Sequence, residues 1–155
     1  MQKVAETSLG FISKAEEPQD FIDLADKIGP HFGGLYHCGY PLNMESIKNF
    51  FSNPLRFKNC YVYFYFNKDG EPKSVIWWMK DYDPRINKKI LLEYMWASTD
   101  PRYSVRVLDE SIKHISNFYK YDSIVISNSQ NYEKLDKFYL KKGFERDVKL
   151  FYKNT

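Results

Sequence analysis

Three stretches in the middle of the chain are built as β-strands, and they restrict the fold more than any other feature. Cys60-Tyr-Val-Tyr-Phe-Tyr-Phe66 alternates strictly, with Cys60, Val62, Phe64 and Phe66 on one face and three tyrosines on the other. Ser74-Val-Ile-Trp-Trp-Met-Lys80 reads as the next strand. Ile90-Leu-Leu-Glu-Tyr-Met-Trp-Ala97 reads as a third, apolar on both faces apart from Glu93. Asn67-Lys-Asp-Gly70 is a turn, and Asp81 to Asn87 reads as a polar connection. Strands joined this closely are antiparallel neighbours.

Helical spacing flanks this meander. Before it, Val4 to Lys14 reads as a first strand. Pro18 to Ile28 reads as a helix with Phe21, Leu24, Ala25 and Ile28 on one stripe, stopped by Gly29-Pro30. A loop rich in Gly, His and Tyr runs from His31 to Leu42. Asn43 then caps a second helix that turns Ile47, Phe50 and Phe51 inward and sets Glu45 near the positive end of its dipole. After the meander, Asp100 and Pro101 open a helix running to about Tyr119, with Val105, Leu108, Ile112, Ile115 and Tyr119 as its buried stripe. Ser123 to Ser127 reads as a short buried strand. Ser129 caps a last helix with Leu135 and Phe138 on its apolar face, and Val148 to Tyr152 closes the chain as a strand. The order gives an α+β sandwich, with helices on both faces of one mixed, mostly antiparallel central sheet.

At 155 residues the chain is one domain, 1–155, with no repeat or linker to divide it. No apolar run approaches the roughly 20 residues that span a bilayer, and the N-terminus lacks a signal core. Cys38 and Cys60 form no Cys-x-x-Cys and no disulfide framework, which fits a reducing cytoplasm. A net charge of +3 gives no nucleic-acid footprint by itself. Aromatic residues make up 18% of the chain, and their alternation along strands assigns most of them to the core. Exposed aromatics on an edge strand offer a way to pair protomers as a homodimer.

The C-terminal third carries the functional motif. Tyr132-Glu-Lys-Leu-Asp-Lys-Phe-Tyr-Leu-Lys-Lys-Gly-Phe144 is a helix that Gly143 ends, with Tyr139 about one turn earlier. This run resembles the C-terminal motif of the GNAT acyltransferases, and the element order of nearly the whole chain is similar to theirs. Glu93, Trp96 and Pro101 resemble a Glu-x-x-Trp then Pro pattern of phage-type members. The resemblance implies an acetyl-CoA-dependent N-acyltransferase that needs no metal. It gives Tyr139 the role of general acid toward the coenzyme A thiolate and Glu93 that of general base. Trp96 falls within its fourth strand. Backbone N–H groups near Ser98 and Thr99 would hold the acyl carbonyl, and Asn128 or Asn131 would meet the coenzyme arm.

One segment departs from the family pattern. Its loop after the proline normally offers bare backbone N–H groups to the pyrophosphate. Here Ser104 replaces the first basic or amide residue, and Val105, Val107 and Asp109 stand where glycines are usual. On the family pattern, Arg102 and Arg106 would compensate as phosphate contacts. The acceptor that the resemblance implies is an amine on a small molecule, a protein or a modified nucleic acid. Two other readings stay open: a GNAT-fold binding or virion-associated protein without turnover, and a nucleic-acid-modifying relative. His31, His37 and Cys38 cluster in the first loop, but polar residues around an acceptor pocket explain them better than zinc. Lys134, Lys137, Lys141, Lys142 and Arg146 form a basic run that reads as a solvated face, with a 3′-phosphate or a nucleic acid as the alternative.

Overall fold

The computed structural model describes residues 1–32, 36–37, 40–127 and 133–146. A hairpin of β1 (Gln2–Thr7) and β2 (Gly10–Lys14) opens the chain and leads to α1 (Pro18–Ile28) and a short 3-10 turn. The two-residue strands β3 (Tyr36–His37) and β4 (Tyr40–Pro41) pair with each other. Next come α2 (Met44–Phe51), α3 (Pro54–Phe57), β5 (Cys60–Asn67), β6 (Pro72–Asp83) and β7 (Lys88–Ser98). The chain goes on through α4 (Pro101–Ser116), β8 (Ser123–Val125) and α5 (Glu133–Lys141). The main sheet has the order β1-β2-β5-β6-β7-β8, antiparallel throughout except for the β7–β8 pair.

Both faces of this sheet are covered. On one, Phe21, Ala25, Ile28, Phe51 and Phe57 of the first three helices meet Cys60, Val62, Phe64, Val75 and Trp77. On the other, Val107, Leu108 and Ile115 of α4 meet Tyr63, Tyr65, Ile76, Trp78 and Leu91. The alternation of β5 therefore divides its side chains between two cores, and Tyr63 and Tyr65 are as fully buried as Phe64.

Several elements differ from the sequence reading. The first strand is two, folded at Thr7–Gly10, because Gly10 takes a φ of +150° and brings its backbone against Phe66. Helix α3 was not anticipated; Asn53 caps it through the Leu55 and Arg56 amides, and Phe57 anchors it. Strand β6 runs on to Asp83, where a polar connection was expected, since its ladder with β7 continues beyond the core to Asp83↔Lys88. Helix α4 stops at Ser116, and its buried stripe is Val107, Leu108, Ser111 and Ile115; Val105 is only half-buried. Ser111 is a core residue because its hydroxyl accepts from Trp78 Nε1 at 2.8 Å and donates to the Leu108 carbonyl at 3.0 Å. Strand β8 is shorter than expected and not buried. Ile124 and Ile126 pack inward, while Ser123, Val125 and Ser127 are exposed. The expected strand Val148 to Tyr152 and the cap at Ser129 lie outside the described residues.

Candidate active site

The site grows from an irregularity in β7. Trp77 pairs with Met95 but Trp78 pairs with Glu93, so Tyr94 is an additional residue in this strand. The bulge switches faces. Leu91 and Glu93 lie on the α4 side, whereas Met95 and Ala97 belong to the opposite core, and Trp96 returns to the α4 side. Tyr94 itself is exposed and stacks on Trp77, ring centroids 4.5 Å apart.

At the same level the sheet parts. β7 and β8 pair from Ile90↔Ser123 to Leu92↔Val125, and then β8 ends while β7 continues to Ser98. The Thr99 N–H donates to the Lys73 carbonyl at 2.9 Å, on the β6 side. Strand alternation turns the Ser98 N–H to the other edge, where β8 has ended. Thr99's amide is thus already engaged, and of the two residues Ser98 alone has its amide on the β8 edge of the strand. The Ser98 hydroxyl lies 2.8 Å from the Asp100 carbonyl.

Glu93 sits where the strands part. Its side chain is 7% exposed, and no cation pairs with it among the described residues. Among the described residues, the salt-bridge alternative for a carboxylate at the sheet centre therefore has no partner. Oε2 instead accepts from the Ser127 N–H at 3.3 Å and the Ser127 hydroxyl at 3.1 Å. Burial pushes its carboxyl up to about 7, against the pull of the two Ser127 bonds. A carboxyl there titrates near neutrality, as a general base must.

Tyr139 reaches the same residue from α5. Its hydroxyl lies 3.4 Å from the Ser127 carbonyl, a long bond. Burial raises the phenol above its ordinary value, and the neighbouring Glu93 and Asp136 add to this. The helix end is built as its sequence implies. Gly143 has a φ of +87°, its N–H donates to the Leu140 carbonyl, and the Phe144 N–H donates to that of Tyr139. Phe144 folds back with its ring centroid 5.8 Å from that of Tyr139. Trp96 closes the other side at 6.3 Å, and its buried Nε1 has no hydrogen-bond partner among the described residues.

The start of α4 is less open than a phosphate cradle. Asp100 accepts from the Arg102 N–H at 2.8 Å, and its carbonyl takes the Tyr103 and Ser104 amides. The Arg102 guanidinium also pairs with Asp100, at 3.0 Å, and Arg106 is exposed. Val107 is a core residue facing the sheet, which explains why it is not glycine. Asp109 does not point at the helix start, because Lys142 of the α5 end holds it at 2.6 Å. In the basic run, Lys137 pairs with Glu133, Lys142 with Asp109 and Arg146 with Asp136, as suits a solvated face. Asn128, Asn131 and Cys38 lie outside the described residues, as do the side chains of His31 and His37. Among the described residues, no helix is long and apolar enough to cross a membrane.

Ser127 is the residue that sequence reasoning missed. It reads only as the last residue of a short strand, and nothing in Ser-Ile-Val-Ile-Ser marks the second serine as a partner of a carboxylate 34 positions earlier.

No protein-family model matches the chain, and no curated protein matches it. Solved structures do. A probable acetyltransferase is similar at 16% identity and a TM-score of 0.66, over 93% of this chain and 95% of that one. The ribosomal-protein-alanine N-acetyltransferase of Brucella melitensis biovar Abortus 2308 is similar at 9% identity and 0.66, over 93% and 99%. A GNAT family acetyltransferase of Staphylococcus aureus subsp. aureus is similar at 15% and 0.63, over 93% and 98%. The fold of this chain is the GNAT fold.

Proposed function

We propose that the protein is an acyl-CoA-dependent N-acyltransferase, with acetyl-CoA as the donor and an amine as the acceptor. The observation that carries this reading is the convergence of Glu93 and Tyr139 on Ser127, at the point where β7 and β8 part. A carboxyl pushed up toward neutrality and a phenol thus reach one residue from two elements, β7 and α5. The similar structures named above, a ribosomal-protein-alanine N-acetyltransferase among them, support the reaction class.

The acceptor amine attacks the thioester carbonyl, so a C–N bond forms and the C–S bond breaks. Glu93, directly or through a water, takes the proton that the ammonium loses. The Ser98 N–H is directed toward the oxygen that gains charge. Tyr139 gives its proton to the departing thiolate and regains one from solvent. Because Asp100 already engages the first amides of α4, the phosphates of the coenzyme fall to the Arg102 and Arg106 side chains. Arg102 must exchange Asp100 for phosphate to do so.

That engaged helix start also favours a second reading, a GNAT-fold binding protein without turnover. Calorimetry with acetyl-CoA and with free coenzyme A separates the two. Saturable binding of both is expected for the enzyme. No heat at millimolar ligand would sink the acyltransferase reading and leave the second.

A further inference from the structure

Glu93 and Tyr139 stand on different elements, and one residue touches both. Ser127 follows the end of β8. It gives its N–H and its hydroxyl to Glu93 Oε2, at 3.3 and 3.1 Å, and its carbonyl receives the Tyr139 hydroxyl at 3.4 Å. We propose that Ser127 is the positioning residue of this site. It fixes the orientation of the Glu93 carboxylate and sets the base and the acid at a constant separation. The inference rests on the acyltransferase reading above.

The chemistry of the carboxylate makes the case. An ionised Glu93 only accepts hydrogen bonds, and no described cation offsets its burial. The two Ser127 donors are its stabilising partners among the described residues. Both go to one oxygen, so Oε1 is the oxygen left to receive a proton. A carboxylate held by two donors on one atom cannot swing that second oxygen freely. Among the described residues, the groups that face this pair are neutral or acidic: Tyr139 on α5, with Asp136 adding negative potential at the phenol.

Topology explains why the residue is Ser127 and not another. Pairing between β7 and β8 ends at Leu92↔Val125. In a longer parallel ladder the amides that follow would find carbonyls of β7. The Ser127 N–H finds the Glu93 side chain instead, one residue before the bulge at Tyr94. The bond that holds the base thus stands at the place where the ladder gives out.

The test uses the full chain and three variants: Ser127→Ala, which removes the hydroxyl donor, Ser127→Thr, which keeps it, and Glu93→Gln, which assigns the signal. Ser127 is exposed, so its variants should fold. The readout is the pH titration of the Glu93 carboxyl by carbon NMR on glutamate-labelled protein. Losing a donor to the charged form should move the Ser127→Ala midpoint upward by about one pH unit, a tenfold change in acid strength. Ser127→Thr should titrate with the native protein. A Ser127→Ala midpoint equal to the native one overturns the proposal, as does an equal shift in both serine variants. Calorimetry with acetyl-CoA on the same samples keeps the two failures apart. If the midpoint moves but no protein binds acetyl-CoA, the acyltransferase reading falls and takes the catalytic meaning of Ser127 with it. If acetyl-CoA binds and the midpoint stays, Ser127 alone is refuted.

Discussion

Replacing Glu93 by glutamine should stabilise the protein, and only as the pH rises. The side chain is 7% exposed, without a described cation, and burial lifts its carboxyl from 4.5 to about 7. Between those values the folded protein keeps a proton that the unfolded chain has released. The stability due to this group is therefore fully present below pH 4.5 and is lost as the pH climbs through 7. One pH unit of displacement corresponds to about 1.4 kcal/mol, so the interval from 4.5 to 7 amounts to about 3 kcal/mol. Glutamine keeps the shape, accepts both Ser127 bonds through its amide oxygen and never ionises. Urea unfolding of the two proteins, followed from about pH 4 to about pH 8.5, gives the difference directly. It should be near zero at the acid end and grow to about 3 kcal/mol at the alkaline end, or roughly 6–12 °C in Tm for a domain of this size. A difference that stays constant over that range would mean that Glu93 titrates like a surface carboxylate. The case for a poised base would then be lost. A residue that destabilises the folded state at working pH, where glutamine would not, is the pattern expected when activity and stability compete.

Tyr139→Phe should lower turnover on the order of a hundredfold while acetyl-CoA affinity by calorimetry stays unchanged, since only the proton donor is lost; a proportionate loss of affinity would point to a packing role. Replacing Arg102 and Arg106 together by alanine should weaken acetyl-CoA binding by more than tenfold, about 1.4 kcal/mol, and unchanged affinity would exclude them as phosphate contacts. Two of the glycines with positive φ, Gly10 and Gly143, should respond differently. At Gly143 an added Cβ meets nothing within 4 Å, so alanine costs only backbone strain, about 1–2 kcal/mol. At Gly10 it would lie 2.0 Å from the Phe66 carbonyl oxygen, so Gly10→Ala should cost more than about 3 kcal/mol or prevent folding. Equal losses in denaturant melts of the two variants would contradict this.

Much of the architecture is legible in the chain because it depends on local periodicity. Cys60 to Phe66 alternates, the stripe from Phe21 to Ile28 is helical, and Asn43 and Gly143 mark helix ends; each feature reappears in the structure. The differences arise where a partner far along the chain decides. Ser111 reads as polar until Trp78 supplies a donor across the core. Asp81 to Asp83 read as part of a polar connection until β7 extends the ladder. The candidate site divides in the same way. Tyr139 and Glu93 stand out within their own segments, one by spacing to a glycine and the other as a carboxylate among apolar neighbours. Ser127 has no local signal, because its role exists only once β8 lies beside β7.

Tyr94 is a residue that the ladder between β6 and β7 passes over. It is 57% exposed, so a range of side chains fits there. Deleting it would leave the partition of the two cores intact. Met95 would follow Glu93 directly, and the pairs Trp78↔Glu93 and Trp77↔Met95 would become neighbours in a regular ladder. Met95 and Ala97 would stay on the helix α1–α2 side, and Trp96 would stay beside Tyr139. What omission would remove is the bend and added twist that a bulge gives its strand, just where β7 passes beyond β8. The strand thus keeps its two faces through misspelling or omission at this position, and what inheritance preserves there is a curve.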